Sequence, residues 1–295
     1  MMNPVGIYYA FWEREWNADY FKYVKKVKKL GFDVLEIAAG ALPDMTSAER
    51  LRLAAAAESE GIKLTYCIGL PVQYDVSSSD EAIRKNGVKY MSGLLDCINE
   101  MGGDTIGGII YSCWPMQIRP DYDYKCRSRE QSLRSLGELL KKAEEYGINY
   151  CLEIVNRFEQ CILNTASEGR AFAEELGSPN VKLLLDTFHM NIEENSFTEA
   201  IHCAGDLLGH FHIGENNRRT PGTGRLPWNE IFTSLSDISY KGAVVMEPFI
   251  KMGGQVGKDI QVLRDISGNA DEEKMDSLAA AAADFVKKGL SVCRK

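Results

Sequence analysis

The chain has 295 residues, 45% of them hydrophobic, and a formal net charge of −8 at pH 7. The acidic excess is spread along the chain, which excludes a general affinity for nucleic-acid backbones or anionic membranes, and no apolar run approaches the ~20 residues that a membrane-spanning helix takes. The length fits two ordinary domains or one large α/β barrel of the ~250-residue type.

In chain order, VGIYYA (5–10) reads as a first strand, and the next helical pattern runs from Asn17 to Leu30 through Val24 and Val27 and stops at Gly31. DVLEIAA (33–39) is a second strand, followed by an Ala-rich helix from Ser47 to Glu60 that stops at Gly61. IKLTYCIG (62–69), a helix over 80–101, DTIGGIIY (104–111) and a helix over 126–146 ending at Gly147 come next. The second half repeats the alternation. Its strands are INYCLEIV (148–155), VKLLLDTF (181–188), GHFHIG (209–214) and AVVMEPF (243–249), and its helices cover 165–176, 197–205, 227–237 and 273–290. Glycine just past a helix supplies the left-handed residue that closes it.

Strands alternating with helices predict parallel βαβ units. An open doubly wound sheet would carry a glycine-rich phosphate loop after its first strand. That position holds the bulky YYAFWEREW, and Gly102, Gly103, Gly107 and Gly108 do not make the fingerprint at a strand-to-helix turn. The expected fold is therefore a (β/α)8 TIM barrel, one catalytic domain over 1–295. The N-terminal MMNPVGIYY lacks a basic stretch followed by a long apolar one, so no secretory leader is read there. None of the eight cysteines forms a C-x-x-C pair, and several, such as Cys67 and Cys151, lie in apolar runs. They read as reduced core thiols and place the protein in the cytoplasm.

In a parallel barrel the chemistry sits at the carboxyl ends of the strands. Glu153, Asp186, His212 and Glu247 fall there on four consecutive strands. Side chains alternate along a strand, so inward pointers near these ends aim over the barrel axis. Three carboxylates and an imidazole converging on one point repel one another unless a cation compensates them, and oxygen-rich ligation with one histidine suits Mn2+, Mg2+ or Co2+. The competing reading pairs each acid with an arginine or a helix N-terminus. Just beyond the strand ends lie Arg157 and Glu159, His189, and Glu215, Arg218 and Arg219. His202 falls in a helical pattern and reads as structural, while His210 alternates with His212 and is expected to line the barrel interior beside a partner.

LEIVNRFE, LLLDTFHMNIEE, GHFHIGENNRR, PGTGR-PW and VVMEPF, with GIYYAFWEREW near the start and YSCWP at 111–115, together resemble the ketose 3-epimerases, the D-tagatose 3-epimerase and D-psicose (D-allulose) 3-epimerase family of xylose-isomerase-like TIM barrels. The resemblance implies one Mn2+ or Co2+ per subunit, with Mg2+ a third candidate, held by Glu153, Asp186, His212 and Glu247. It makes Glu153 and Glu247 the acid/base pair and sets Glu159, His189 and Arg218 around O1 to O3 of the sugar. Tyr8, Trp16, Trp114 and Phe249 are candidate walls for C4 to C6, and Gly108 joins them as a substrate-side residue. A free ketohexose is the implied partner, in a homodimer or homotetramer. Cys113, where an aromatic residue is common, and the segment CIGLPVQYDVSSS (67–79) depart from the family pattern. Both are expected to border the distal end of the sugar and to bear on substrate preference.

A 2-ketose has an activated C3 proton, and its removal gives an enediolate across O2 and O3 whose charge a divalent cation at those oxygens would stabilise. Inversion at C3 calls for two acid/base groups on opposite faces, the role given to Glu153 and Glu247. The rival readings are an aldose–ketose isomerase on the same barrel, a multi-zinc endonuclease-type barrel, which four histidines and an acidic charge serve poorly, and a non-enzymatic sugar-binding scaffold.

Overall fold

A computed structural model describes residues 3–293 apart from residue 117. Eight parallel strands close in sequence order: β1 (Val5–Tyr8), β2 (Val34–Ala38), β3 (Lys63–Cys67), β4 (Thr105–Gly108), β5 (Asn149–Ile154), β6 (Val181–Asp186), β7 (Leu208–Ile213) and β8 (Val244–Met246). β8 pairs back onto β1, with Val5 opposite Val244 and Ile7 opposite Met246. The expected (β/α)8 barrel is the observed one.

The first five helices are α1 (Tyr20–Lys29), α2 (Ser47–Ser59), α3 (Glu81–Glu100), α4 (Tyr122–Tyr146) and α5 (Ala166–Leu176). α6 (Thr187–Glu193), α7 (Phe197–Ala204), α8 (Trp228–Asp237), α9 (Gly254–Asp259) and α10 (Glu272–Val292) are the other α-helices among the described residues. Their starts are written in the sequence. Asp19 caps α1, and at α2 Thr46 and Glu49 form a reciprocal capping box that satisfies two otherwise orphaned N–H groups. Gly147 closes α4 in the left-handed region (φ 67°), which a side chain with a β-carbon adopts only at a cost.

Several boundaries differ from expectation: α1 starts at Tyr20 rather than Asn17, β4 ends at Gly108 rather than 111, and β8 ends at Met246 rather than 249. α4 starts at Tyr122 rather than 126, because Asp121 accepts from the Tyr124 N–H at 2.7 Å and caps it earlier. The sixth strand stops at Asp186, whose side chain caps α6 at once, so the expected continuation of the strand through Thr187 and Phe188 is cut off. The short α9 lies in the stretch between the eighth strand and the last helix, where no element was expected.

The apolar core lies mainly between the barrel wall and the helices, and inside the barrel a small cluster of Val34, Ala243 and Val245 forms the floor. Above it the interior turns polar, with Glu36, Thr65 and His210, then Glu153, Asp186, His212 and Glu247 toward the rim, all buried. A register shift between β6 and β7 pairs Leu183 with Leu208 but Leu184 with His210, so one extra residue, Gly209, enters β7 and His212 comes level with Asp186.

Among the described residues all eight cysteines are free thiols; four of them are buried, while Cys126 is exposed. No helix is long and apolar enough to cross a membrane among those residues.

Candidate active site

Ligand atoms of Glu153, Asp186, His212 and Glu247 all lie within 4.8 Å of one another, with every one of the four side chains buried. The strand ends deliver them: Glu153 from β5, Asp186 from β6, His212 from β7, and Glu247 just past β8, anchored by its N–H donating to the Ile213 carbonyl at 2.9 Å.

His212 is oriented from below. Its Nε2 lies 2.6 Å from Oε1 of Glu36, a carboxylate that can only accept, so the proton sits on Nε2. That leaves Nδ1 facing the acids, 3.9 Å from Glu153 Oε1 and 3.8 Å from Glu247 Oε2, with no hydrogen-bond partner. A buried imidazole nitrogen aimed among three carboxylates fits a divalent cation, and the carboxylate behind the imidazole is the usual outer support of such a ligand. Glu36 also accepts from Thr65 Oγ1 at 2.9 Å, and His210 Nε2 stands 2.8 Å from its Oε2, an ion-pair distance off the line a hydrogen bond needs.

The charges are strongly coupled. Burial and then Glu247 hold the Glu153 carboxyl well above the usual range. Burial likewise raises Glu247, to about 7, against the pull of His212 and Arg218. Burial pulls His212 down, but Glu36 and Glu247 outweigh it and raise the imidazole to about 10. Burial also opposes ionisation of Asp186, and Arg218 overcomes it, so that carboxyl is held low. The cluster therefore retains protons where a cation would replace them.

Arg218 spans the acids, with Nη1 3.0 Å from Asp186 Oδ2 and 3.2 Å from Glu247 Oε2, and its guanidinium lies over the Phe188 ring at 3.9 Å. It sits at φ 62° in the loop after β7. Glu215, fully buried, holds that loop by accepting from Trp228 Nε1 at 2.8 Å, Gly222 N at 2.9 Å and Leu226 N at 3.3 Å. His189, on α6, accepts at Nδ1 from the Asn156 backbone N–H at 3.2 Å, which leaves its proton on Nε2, 3.7 Å from Glu153 Oε1. Glu159 is fixed by Trp114 Nε1 at 3.0 Å and Asn156 Nδ2 at 3.1 Å, and His189 and Arg218 hold its carboxyl low against burial.

A cavity of about 530 Å3 opens above the cluster. Tyr8, Trp16, Trp114, Glu153, Glu159, His189, Arg218, Glu247 and Phe249 all line it. The three bulky rings form one wall, with Trp16 6.3 Å from both Trp114 and Phe249 between ring centres. Asp186 and His212 lie beneath its floor. Gly108 ends β4 at φ 112°, its backbone packed against the Ile68 carbonyl, while the next residue, Ile109, lines the cavity. From the divergent segment 67–79, Cys67, Ile68, Gly69 and Pro71 reach the cavity. Cys113 is buried beside Asp75, whose carboxylate accepts its N–H at 3.2 Å.

Outside the cavity, Arg157 pairs with Glu193, and the half-exposed His202 lies 3.7 Å from Asp237. Sequence reading passed over Glu36, Asn156 and Asp259. Glu36 carried the same signal as Glu247, an acid inside an otherwise apolar strand; the other two carried none.

The sequence profile of the xylose isomerase-like TIM barrel family matches residues 24–266. The chain is 49% identical over 290 residues to the D-psicose 3-epimerase of Ruminiclostridium cellulolyticum, covering 98% of each. It is 47% identical over 280 residues to the D-psicose 3-epimerase of Agrobacterium fabrum, covering 95% of this chain and 96% of that one. The crystal structure of D-psicose 3-epimerase with D-tagatose from Clostridium cellulolyticum H10 superposes with a TM-score of 0.95 at 49% identity, over 97% of this chain and 99% of that one.

Proposed function

The chain belongs to the xylose isomerase-like TIM-barrel family and, within it, to the ketose 3-epimerases, and on that footing we propose that it inverts C3 of free ketohexoses, D-fructose with D-psicose and D-tagatose with D-sorbose, in a divalent-cation-dependent reaction. The observation that carries the reading is the unpartnered Nδ1 of buried His212 facing Glu153, Asp186 and Glu247. These four residues would hold Mn2+ or Co2+, with Mg2+ a third candidate. When bound, the cation supplies Lewis-acid charge that makes the C3 proton more acidic and steadies the enediolate.

The protein groups have separable tasks. One of Glu153 and Glu247 takes the proton from C3, and the other returns one to the opposite face. Burial raises both carboxyls in the cation-free cluster, so they hold and release protons nearer neutrality than an ordinary glutamate does. The Nε2–H of His189 is available to a substrate oxygen because Asn156 occupies Nδ1. Arg218 brings fixed positive charge beside the same acids, and Glu159, held by Trp114, accepts from a sugar hydroxyl. The aromatic wall excludes water and covers the apolar edge of C4 to C6. Homodimer or homotetramer assembly and a cytoplasmic setting belong to the same proposal.

The test is incubation with D-fructose and Mn2+ in D2O, with separation and mass analysis of the sugars. D-Psicose bearing deuterium at C3 is expected, and Glu153→Gln and Glu247→Gln should each stop its formation. Glucose or mannose as product would make the enzyme an aldose–ketose isomerase, and binding without exchange would leave a sugar-binding protein.

A further inference from the structure

Trp16 belongs to the loop after β1, yet its indole is held from the opposite side of the barrel seam. Its Nε1 donates to Asp259 Oδ2 at 2.8 Å, and Asp259 is the last residue of α9. The other oxygen of that carboxylate accepts from Gln255 Nε2 at 2.7 Å within the same short helix. Three more bonds tie the two loops together. Val256 N donates to the Arg14 carbonyl at 2.9 Å, Lys251 Nζ to the Trp12 carbonyl at 2.6 Å, and Gln255 N to Glu15 Oε1 at 3.3 Å. Gly254, at φ 67°, lies so close to the Arg14 carbonyl that a β-carbon would overlap it. From the near side, Tyr9 Oη donates to the Trp16 carbonyl at 2.6 Å, which fixes the backbone but not the ring.

We propose that Asp259 is a positioning residue for the sugar-facing wall: by anchoring the Trp16 indole it sets how tightly the enzyme grips the distal carbons of its ketose, without touching the acid/base pair. The inference rests on the ketose 3-epimerase reading. Trp16 is only partly buried and meets Phe249 and Trp114 edge-on, so ring contacts alone leave it free to turn about its side-chain bonds. A charged acceptor on an indole N–H is the strongest single tie the ring has here. Asp259 itself lines the same cavity as Trp16, so loss of the tie frees a ring that faces the substrate space.

The discriminating set is Asp259→Ala, Asp259→Asn, Trp16→Phe and the Asp259→Ala/Trp16→Phe double variant, assayed as Mn2+-loaded protein on D-fructose. Asp259→Ala should raise KM about tenfold while kcat falls by less than about twofold. Asp259→Asn keeps an amide oxygen that can accept from the indole and should recover most of the loss. The double variant should match Trp16→Phe alone, because both changes act through one ring. Additive effects, a drop confined to kcat, or failure of asparagine to rescue would overturn the proposal. A readout independent of turnover separates this from failure of the functional reading. The difference in acrylamide quenching between the parent and Trp16→Phe isolates the Trp16 emission. That emission should become readily quenched in Asp259→Ala and stay protected in Asp259→Asn even if no ketose is turned over, and equal protection in both would sink the anchoring role.

Discussion

Replacing Glu36 by Gln should weaken metal capture although Glu36 is not among the four proposed ligands. The carboxylate accepts at both oxygens, Oε1 2.6 Å from His212 Nε2 and Oε2 2.9 Å from Thr65 Oγ1, and its negative charge also stands 2.8 Å from His210 Nε2 at ion-pair distance. A glutamine in that place offers one acceptor and one N–H pair, so it cannot serve both sides. If its oxygen stays on His212, the imidazole keeps its tautomer but exchanges a charge-assisted bond of about 1.5–3 kcal/mol for a neutral one of about 0.5–1.5 kcal/mol. If its amide turns toward His212, the ring proton moves to Nδ1 and the coordinating lone pair is lost. Outer partners of metal ligands typically govern 10–100-fold in affinity, which matches the first case. Titration calorimetry of the metal-free protein with Mn2+, or competition against a fluorescent chelator, should therefore give a dissociation constant raised by about that factor, with the far-ultraviolet circular dichroism unchanged. Parent-like affinity in Glu36→Gln, beside lost binding in His212→Ala, would refute the reasoning.

Two further outcomes are expected. Because His212 is raised from 6.5 to about 10, the stability it lends the metal-free fold is complete below pH 6.5 and is lost as pH rises through 10. Glu247, raised from 4.5 to about 7, likewise favours the folded state less as it ionises between those values. A cation binds the deprotonated forms, so the rise in Tm on adding Mn2+ should grow from pH 6 to pH 9, read by scanning fluorimetry against an EDTA control; a gain that shrinks with pH would contradict the assignment. Glu215→Ala strands two buried donors, Leu226 N and Trp228 Nε1. At about 1–3 kcal/mol each, the urea-unfolding free energy should fall by roughly 2–6 kcal/mol, with activity falling too because the same loop carries Arg218. A loss under about 1 kcal/mol would show that the loop is held otherwise.

The strand ends were legible because a parallel barrel buries its strands as apolar runs, against which an acid or a histidine stands out. That one contrast located Glu153, Asp186, His212 and Glu247. Glu36 has the same contrast but sits mid-strand in β2, away from the carboxyl end where the chemistry of a parallel barrel is expected. Asn156 and Asp259 were illegible for a different reason. They act on His189 and Trp16 through the way loops fold back, and loop polar residues carry no periodicity to read. α6 was hidden because Asp186 ends a strand and caps a helix in the same residue, leaving no turn signal between them.

The extra residue in β7 has a reach beyond local geometry. Without the shift at Gly209, Phe211 rather than His212 would stand opposite Asp186. The elevation of the imidazole is thus an offset written into the backbone, independent of which side chains fill the floor. A barrel of this kind could retune the spacing of its rim groups by gaining, losing or relocating a single inserted position, leaving every functional residue in place.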